Sequence, residues 1–327
     1  MLRHTSSAEI SIKRRRIRVT LAPHVRRYAI FDNFASMKLL VALCCVTCLL
    51  SCEKNIDFKL KVVHDVLVVD ASIENNQPPI VVLSKSFDYF SKIGAQTLDT
   101  LFVHNAAVFI SNGVQTQQLK EYSVGASGFR TYFYSIDTSN IRSAFEGQFN
   151  TTYNLKVNVA GKEYTSTTTI PALAKKIDSL WWKQAPFSTD TSEVVMIMRA
   201  TDPAGLGNYI RYYTKINNGF FLPGAQSVYD DQLIDGTTYD LKVDPGINRN
   251  DPVAFDKNFF HRGDTVTLKL SNIDRSSYQF WLTMEFAYQS IGNPFASPNT
   301  VRGNISNGAL GAFCGYAAGL KTLVIPK

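Results

Sequence analysis

Residues Tyr153 to Ile170 constrain the fold most. Tyr153, Leu155, Val157 and Val159 alternate with polar residues, Ala160-Gly161-Lys162 turns the chain, and Tyr164 to Ile170 runs back. Successive side chains of a strand point to opposite faces, so strict alternation means one face is buried and the other wet, as in an antiparallel sandwich. Pro171 closes the segment.

The same pattern recurs upstream. Val62-Val63, Val66 to Val69 with Ile73, and Ile80 to Leu83 are dominated by β-branched residues, with Asn75-Asn76-Gln77-Pro78-Pro79 as a turn between the last two. Ala107 to Ile110 and Gln117 to Tyr122 flank Ser111-Asn112-Gly113, where Asn-Gly supplies the positive φ of a tight hairpin. Thr131 to Tyr134 adds a further strand. Residues 61–171 therefore predict an immunoglobulin-like β-sandwich, although the paired cysteines of true immunoglobulin domains are missing.

Residues 172–327 predict a larger β-rich domain. Val194 to Met198, Tyr209 to Ile216, Tyr239 to Val243 and Thr265 to Leu270 read as strands, separated by long loops expected at Phe220 to Thr238 and Asp244 to Gly263. One long helix is expected at 274–291, capped by Asp274 and ended by Gly292 and Pro294. Its apolar residues cover two faces, Tyr278, Trp281, Leu282 and Phe286 on one and Phe280, Met284, Tyr288 and Ile291 on the other, so burial on two sides is expected. The fold class is mainly β, with one buried C-terminal helix.

Residues 37–51 bear on location. Lys38 precedes an apolar run from Leu39 to Leu50, shorter than the roughly 20 residues of a membrane span but within the core length of a secretory signal. Leu49-Leu50-Ser51-Cys52 resembles a bacterial lipobox, in which the cysteine is lipidated and becomes the new N-terminus. Cys52 is thus the expected lipid attachment site, and residues 52–60 the tether. Residues 1–36 read as an over-extended gene start or a basic leader.

The charge balance follows the same division. Residues 1–51 hold nine Lys and Arg against two acids, of 34 and 27 in the chain, which leaves 25 of each for residues 52–327. A neutral mature chain has no electrostatic case for binding nucleic acid. Cys44, Cys45 and Cys48 fall within the signal core, so Cys314 is the one thiol left besides Cys52, expected as a small buried residue.

Larger blocks add a resemblance. Glu53 to Asp57 after the cysteine, Val66 to Glu74, Gln77 to Ser84, Phe87-Asp88-Tyr89-Phe90-Ser91, Gly292 to Pro298 and Gly303 to Gly311 together resemble Bacteroidota outer-membrane lipoproteins grouped as a domain of unknown function (DUF4249-type). Such proteins are often encoded beside TonB-dependent outer-membrane receptors. The resemblance implies an envelope location and a receptor partner; it carries no catalytic residue.

Catalytic patterns are sparse. His64, His104 and His261 form neither an HExxH nor an HxH arrangement, and there is no G-x-S-x-G elbow or phosphate-cradling glycine motif. Asp230, Asp231 and Asp235 read either as hard oxygen ligands for calcium or as a solvated turn. No cofactor or metal is expected. The best candidates for contact are aromatic: Phe90 with Phe87 and Tyr89, Trp181 and Trp182, of which one is expected in the core and one exposed, and Phe220 and Phe221 at a loop tip. The expected function is that of a non-enzymatic lipoprotein of the outer membrane that presents loops to a TonB-dependent receptor or its substrate. A free-standing glycan- or peptide-binding lipoprotein is the alternative, and a hydrolase built from scattered carboxylates a third reading.

Overall fold

The computed structural model describes residues 66–86, 100–126, 129–139, 145–249, 259–291 and 299–327, together with Lys38, Asn293, Phe295 and Ala296. It is mainly β, with one long helix near the C-terminus. Cys52 and Phe90 lie outside the described residues, as do residues 250–258 of the expected second loop.

The alternating hairpin forms as its pattern dictates. Strands β6 (Thr151–Val159) and β7 (Lys162–Ile170) pair antiparallel through a turn with positive φ at Ala160 and Gly161. Tyr153, Leu155 and Val157 are at most 2% exposed, and each such side chain contributes roughly 1.5–3 kcal/mol by leaving water. The Asn-Gly hairpin is also as expected. It joins β3 (Ala107–Ser111) to β4 (Thr116–Ala126), with Gly113 at φ +87° and the Asn112 side chain accepting the Val114 and Gln115 N–H groups.

With β1 (Leu67–Glu74), β2 (Ile80–Lys85) and β5 (Phe129–Ser135), these strands run in the order β1-β2-β5-β4-β3-β6-β7. The sheet continues past β1 into β15 (Leu310–Val324), β14 (Thr265–Ile273), β10 (Tyr209–Ile216) and β11 (Leu222–Tyr229), for eleven strands in all. Strands from either side of residue 171 therefore share one sheet. β15 is the splice: Leu310 to Tyr316 pairs parallel with β1, and Tyr316 to Val324 pairs antiparallel with β14. A smaller sheet sets β8 (Lys176–Gln184) on one side of β9 (Glu193–Thr201), and β12 (Thr238–Val243) and β13 (Phe260–His261) on the other. It packs on β10 and β14 through Met196, Met198, Ile210 and Leu268.

Both edges of the large sheet are covered, which blocks pairing with a stray strand. On β7 the Thr165 N–H donates to Ser306 Oγ (2.7 Å) and the Thr169 N–H to Asp274 Oδ2 (2.8 Å). On β11 the Ser227 N–H donates to Glu285 Oε2 (2.9 Å).

Two expectations need correction. The segment expected as one long loop at Phe220 to Thr238 contains β11, which adds to β10 across a bulge. Its polar and small residues hid a strand whose buried positions meet distant partners: Gly224 lies against Tyr212, Ser227 bonds Glu285 of the helix, and Val228 joins the apolar cluster of Ile273 and Phe280. The helix α1 (Arg275–Ser290) forms where expected, with Asp274 as N-cap accepting the Ser277 N–H, and ends at an extended Ile291. It is buried on one side only. Phe280 and Glu285 face the sheet, whereas Leu282, Phe286, Tyr288 and Ile291 are 42–65% exposed.

Candidate functional site

Two turns at one end of the molecule present aromatic side chains to solvent. Between β8 and β9, Phe187 stands fully exposed, at 106% of the reference, with φ +62°. That conformation is costly for a bulky residue and is held only where its surroundings over-determine it. Four hydrogen bonds restrain it: Ser188 Oγ donates to Glu193 Oε2 (2.5 Å), the Asp190 N–H to Ser188 Oγ (3.1 Å), the Ser192 N–H to Asp190 Oδ1 (2.8 Å), and Gln184 Nε2 to the Glu193 carbonyl (2.9 Å). Those Ser192 bonds hold the Asp190 carboxyl below its ordinary range, against a smaller opposing effect of burial.

Between β10 and β11, Phe220 is 86% exposed. Asn217, at φ +51°, fixes this turn by accepting the Thr265 N–H (2.9 Å) and donating to Asp264 Oδ1 (3.1 Å). The segment His261 to Thr265 ties the turns together, because Arg262 binds the first through the Ser192 and Thr191 carbonyls (2.9 and 3.0 Å). Both turns lie beside the end of β15, where the Gly263 N–H donates to the Ile325 carbonyl.

The sequence-derived aromatics divide by role. Trp182 packs against the core between the two sheets, with the Arg262 guanidinium 4.7 Å from its ring centre. Trp181, on the opposite face, stands under Arg199, which is paired with Asp240 at 2.7 and 3.0 Å. Phe221 closes a ladder of alternating rings and cations: Trp281, Arg211, Tyr213, Lys269, Phe221 and Lys215 follow one another at 3.3–5.2 Å. Of the described candidates Phe220 alone projects freely. Its companion Phe187 was missed from sequence, where Pro186-Phe187-Ser188-Thr189-Asp190 reads as an ordinary polar turn; a lone aromatic in such a turn was the available signal.

The titratable groups form structural pairs. His104 Nδ1 lies 2.5 Å from Glu121 Oε1, and Glu121 Oε2 accepts from the Asn105 N–H (2.9 Å) and the Tyr134 hydroxyl (3.0 Å). Burial alone would raise the Glu121 pKa, but these three bonds outweigh it and hold the carboxyl below its ordinary value. Two of the three aspartates come together and one turns away: Asp231 accepts from the Gly207 and Asn208 N–H groups and Asp235 from the Gly205 N–H, whereas Asp230 accepts from the Tyr278 hydroxyl. Asp202 joins Asp231 and Asp235 within 4.8 Å, but the cation beside them is Lys175, whose Nζ sits 2.6 Å from Asp202 Oδ1. Burial pushes the thiol pKa of Cys314 to about 12, as befits a packing residue.

A family model described as a domain of unknown function, DUF4249, matches residues 53–322. The chain belongs to this family. The DUF4249 region spans the described strands up to Thr322 of β15, with both aromatic turns, and opens one residue after Cys52. A search of the curated proteins found no match to this DUF4249 chain.

Proposed function

We propose that this protein is a non-enzymatic outer-membrane lipoprotein of the Bacteroidota type, anchored through Cys52, that docks its aromatic tip on a TonB-dependent receptor. The observation that carries the reading is the placement of Phe187 and Phe220. Leu67 to Glu74 runs beside the first half of β15, whereas both aromatic turns lie at its last residues. The fourteen steps between its fifteen residues, at about 3.3 Å each, separate the two ends by roughly 45 Å of strand. Both aromatic side chains thus stand exposed together at the end of β15, where one partner can meet both.

The lipobox-like residues before Cys52 and the DUF4249 membership support the anchor and the family context. A diacylated cysteine with roughly 0.8 kcal/mol per buried methylene holds stably without any spanning helix. Fourteen residues from Cys52 to Val66 reach at most about 50 Å. The braced turns favour contact energetically, since a backbone already held loses less entropy on binding.

The test is affinity isolation of the lipidated chain from outer membranes in mild detergent, with mass spectrometry of its companions. A TonB-dependent receptor recovered in stoichiometric amount, and lost from a Phe187→Ala/Phe220→Ala variant, is the expected result. Recovery of the protein alone overturns the receptor role.

A further inference from the structure

A groove of about 720 Å³ crosses the outer faces of β3, β6 and β7, in the half of the molecule away from the aromatic tip. That volume falls within the roughly 300–1,000 Å³ of small-molecule sites. Its floor is one ring amid amides and hydroxyls. Strand register places Phe109 opposite Lys156 and Lys156 opposite Thr165, with Asn154 and Asn158 two residues to either side of Lys156 on the same face. Thr116 closes the rim from β4.

The free hydrogen-bonding capacity can be counted. Asn154 Oδ1 accepts from Thr167 Oγ1 (2.8 Å), which leaves its amide N–H donors unused. Asn158 makes no side-chain hydrogen bond among the described residues and offers both donor and acceptor. Among the described lining residues the one cation is Lys156, which is paired with Glu163 at 2.6 Å. Phe109 is half-buried and lines the groove.

We propose that this groove binds a neutral oligosaccharide. A sugar ring presents an apolar C–H face that stacks on an aromatic ring, and hydroxyls around its edge that pair with amides and threonine hydroxyls. The other ligand classes fit less well. An anion finds no uncompensated positive charge, because Lys156 is already paired. An apolar ligand would strip water from the asparagine amides without replacing their hydrogen bonds, which costs free energy. A peptide adding as a strand needs an open sheet edge, and the β7 edge is occupied by Ser306 and Asp274.

The experiment is calorimetric titration of the full lipidated chain, in a detergent without a sugar headgroup, with neutral gluco-, manno- and galacto-oligosaccharides. The expected result is saturable binding of at least one of them. Phe109→Leu and Asn158→Ala should each weaken that binding by about tenfold or more, roughly 1.4 kcal/mol, with the unfolding temperature within a few degrees of the parent. Phe187→Ala should leave it unchanged, which separates this site from receptor docking. No binding across the panel, or binding indifferent to both groove substitutions, would overturn the proposal.

Discussion

The ammonium of Lys175 lies 2.6 Å from Asp202 Oδ1, and both side chains are entirely withdrawn from solvent. Lys175 Nζ also donates to the Asn208 carbonyl (3.0 Å), and its backbone is clamped by Asn272, which accepts from the Lys175 N–H and donates to the Lys175 carbonyl. Burial lowers the lysine pKa, while Asp231, Asp230 and Asp235 offset part of that. Removing one partner of a buried pair strands the other charge. Lys175→Met is therefore expected to cost about 3–5 kcal/mol in denaturant unfolding, and Lys175→Met/Asp202→Asn to recover part of it. Equal stability of the single variant and the parent would refute the pairing.

Phe187 couples strain to exposure. Glycine adopts φ +62° without a steric penalty, so Phe187→Gly should leave stability unchanged or raise it by up to about 1 kcal/mol, after the entropy that glycine adds to the unfolded chain. The same substitution should weaken receptor recovery. A protein made more stable and less able to associate would mark this turn as shaped for contact.

The Glu121 cluster predicts a pH dependence with a definite sign. Its carboxyl is held below the ordinary 4.5, so the unfolded chain binds the proton more readily than the folded one. The stabilisation is fully present above pH 4.5 and is lost as pH falls through the lower folded value. Melting curves from pH 7 to 3 should show Glu121→Gln less stable than the parent at neutral pH, with the gap closing below pH 4.5. A gap that is constant with pH would count against the assignment.

Cys314 should resist modification. Its thiol pKa stands near 12 and the side chain is 2% exposed, so iodoacetamide at pH 8 should label it only after denaturation. Rapid labelling of the native protein would show that the β15 face opens.

Gly311 tests the splice between the two halves. It sits at φ +94° opposite Val69, and a Cβ there would run into the Val69 carbonyl oxygen. Gly311→Ala is expected to lower the unfolding midpoint strongly, whereas Gly113→Ala, in open space at a hairpin tip, should cost only the backbone strain of its positive φ.

Local pattern made much of this legible in advance. The alternation of Tyr153, Leu155 and Val157, the Asn112-Gly113 turn and the Asp274 cap each state a local geometry that the chain adopts, because a period of two or a capping carboxylate acts within a few residues. β11 escaped notice because Gly224, Gln226 and Ser227 carry no apolar period; their partners, Tyr212 and Glu285, are remote in sequence.

The site followed the same rule. The turn residues Asn217-Asn218-Gly219 placed Phe220 at a loop tip, and alternation put Trp181 and Trp182 on opposite faces, since these are properties of neighbouring residues. Tertiary structure decided the rest. Phe187 and Phe220 are 33 positions apart and share one end only because Arg262 and Asp264 brace both turns. The groove likewise exists because β3 pairs with β6 and β6 with β7, which brings Phe109 beside Asn154 and Asn158. Pairings at that range depend on which faces bury together and on what loop closure costs, quantities that no short window of sequence contains.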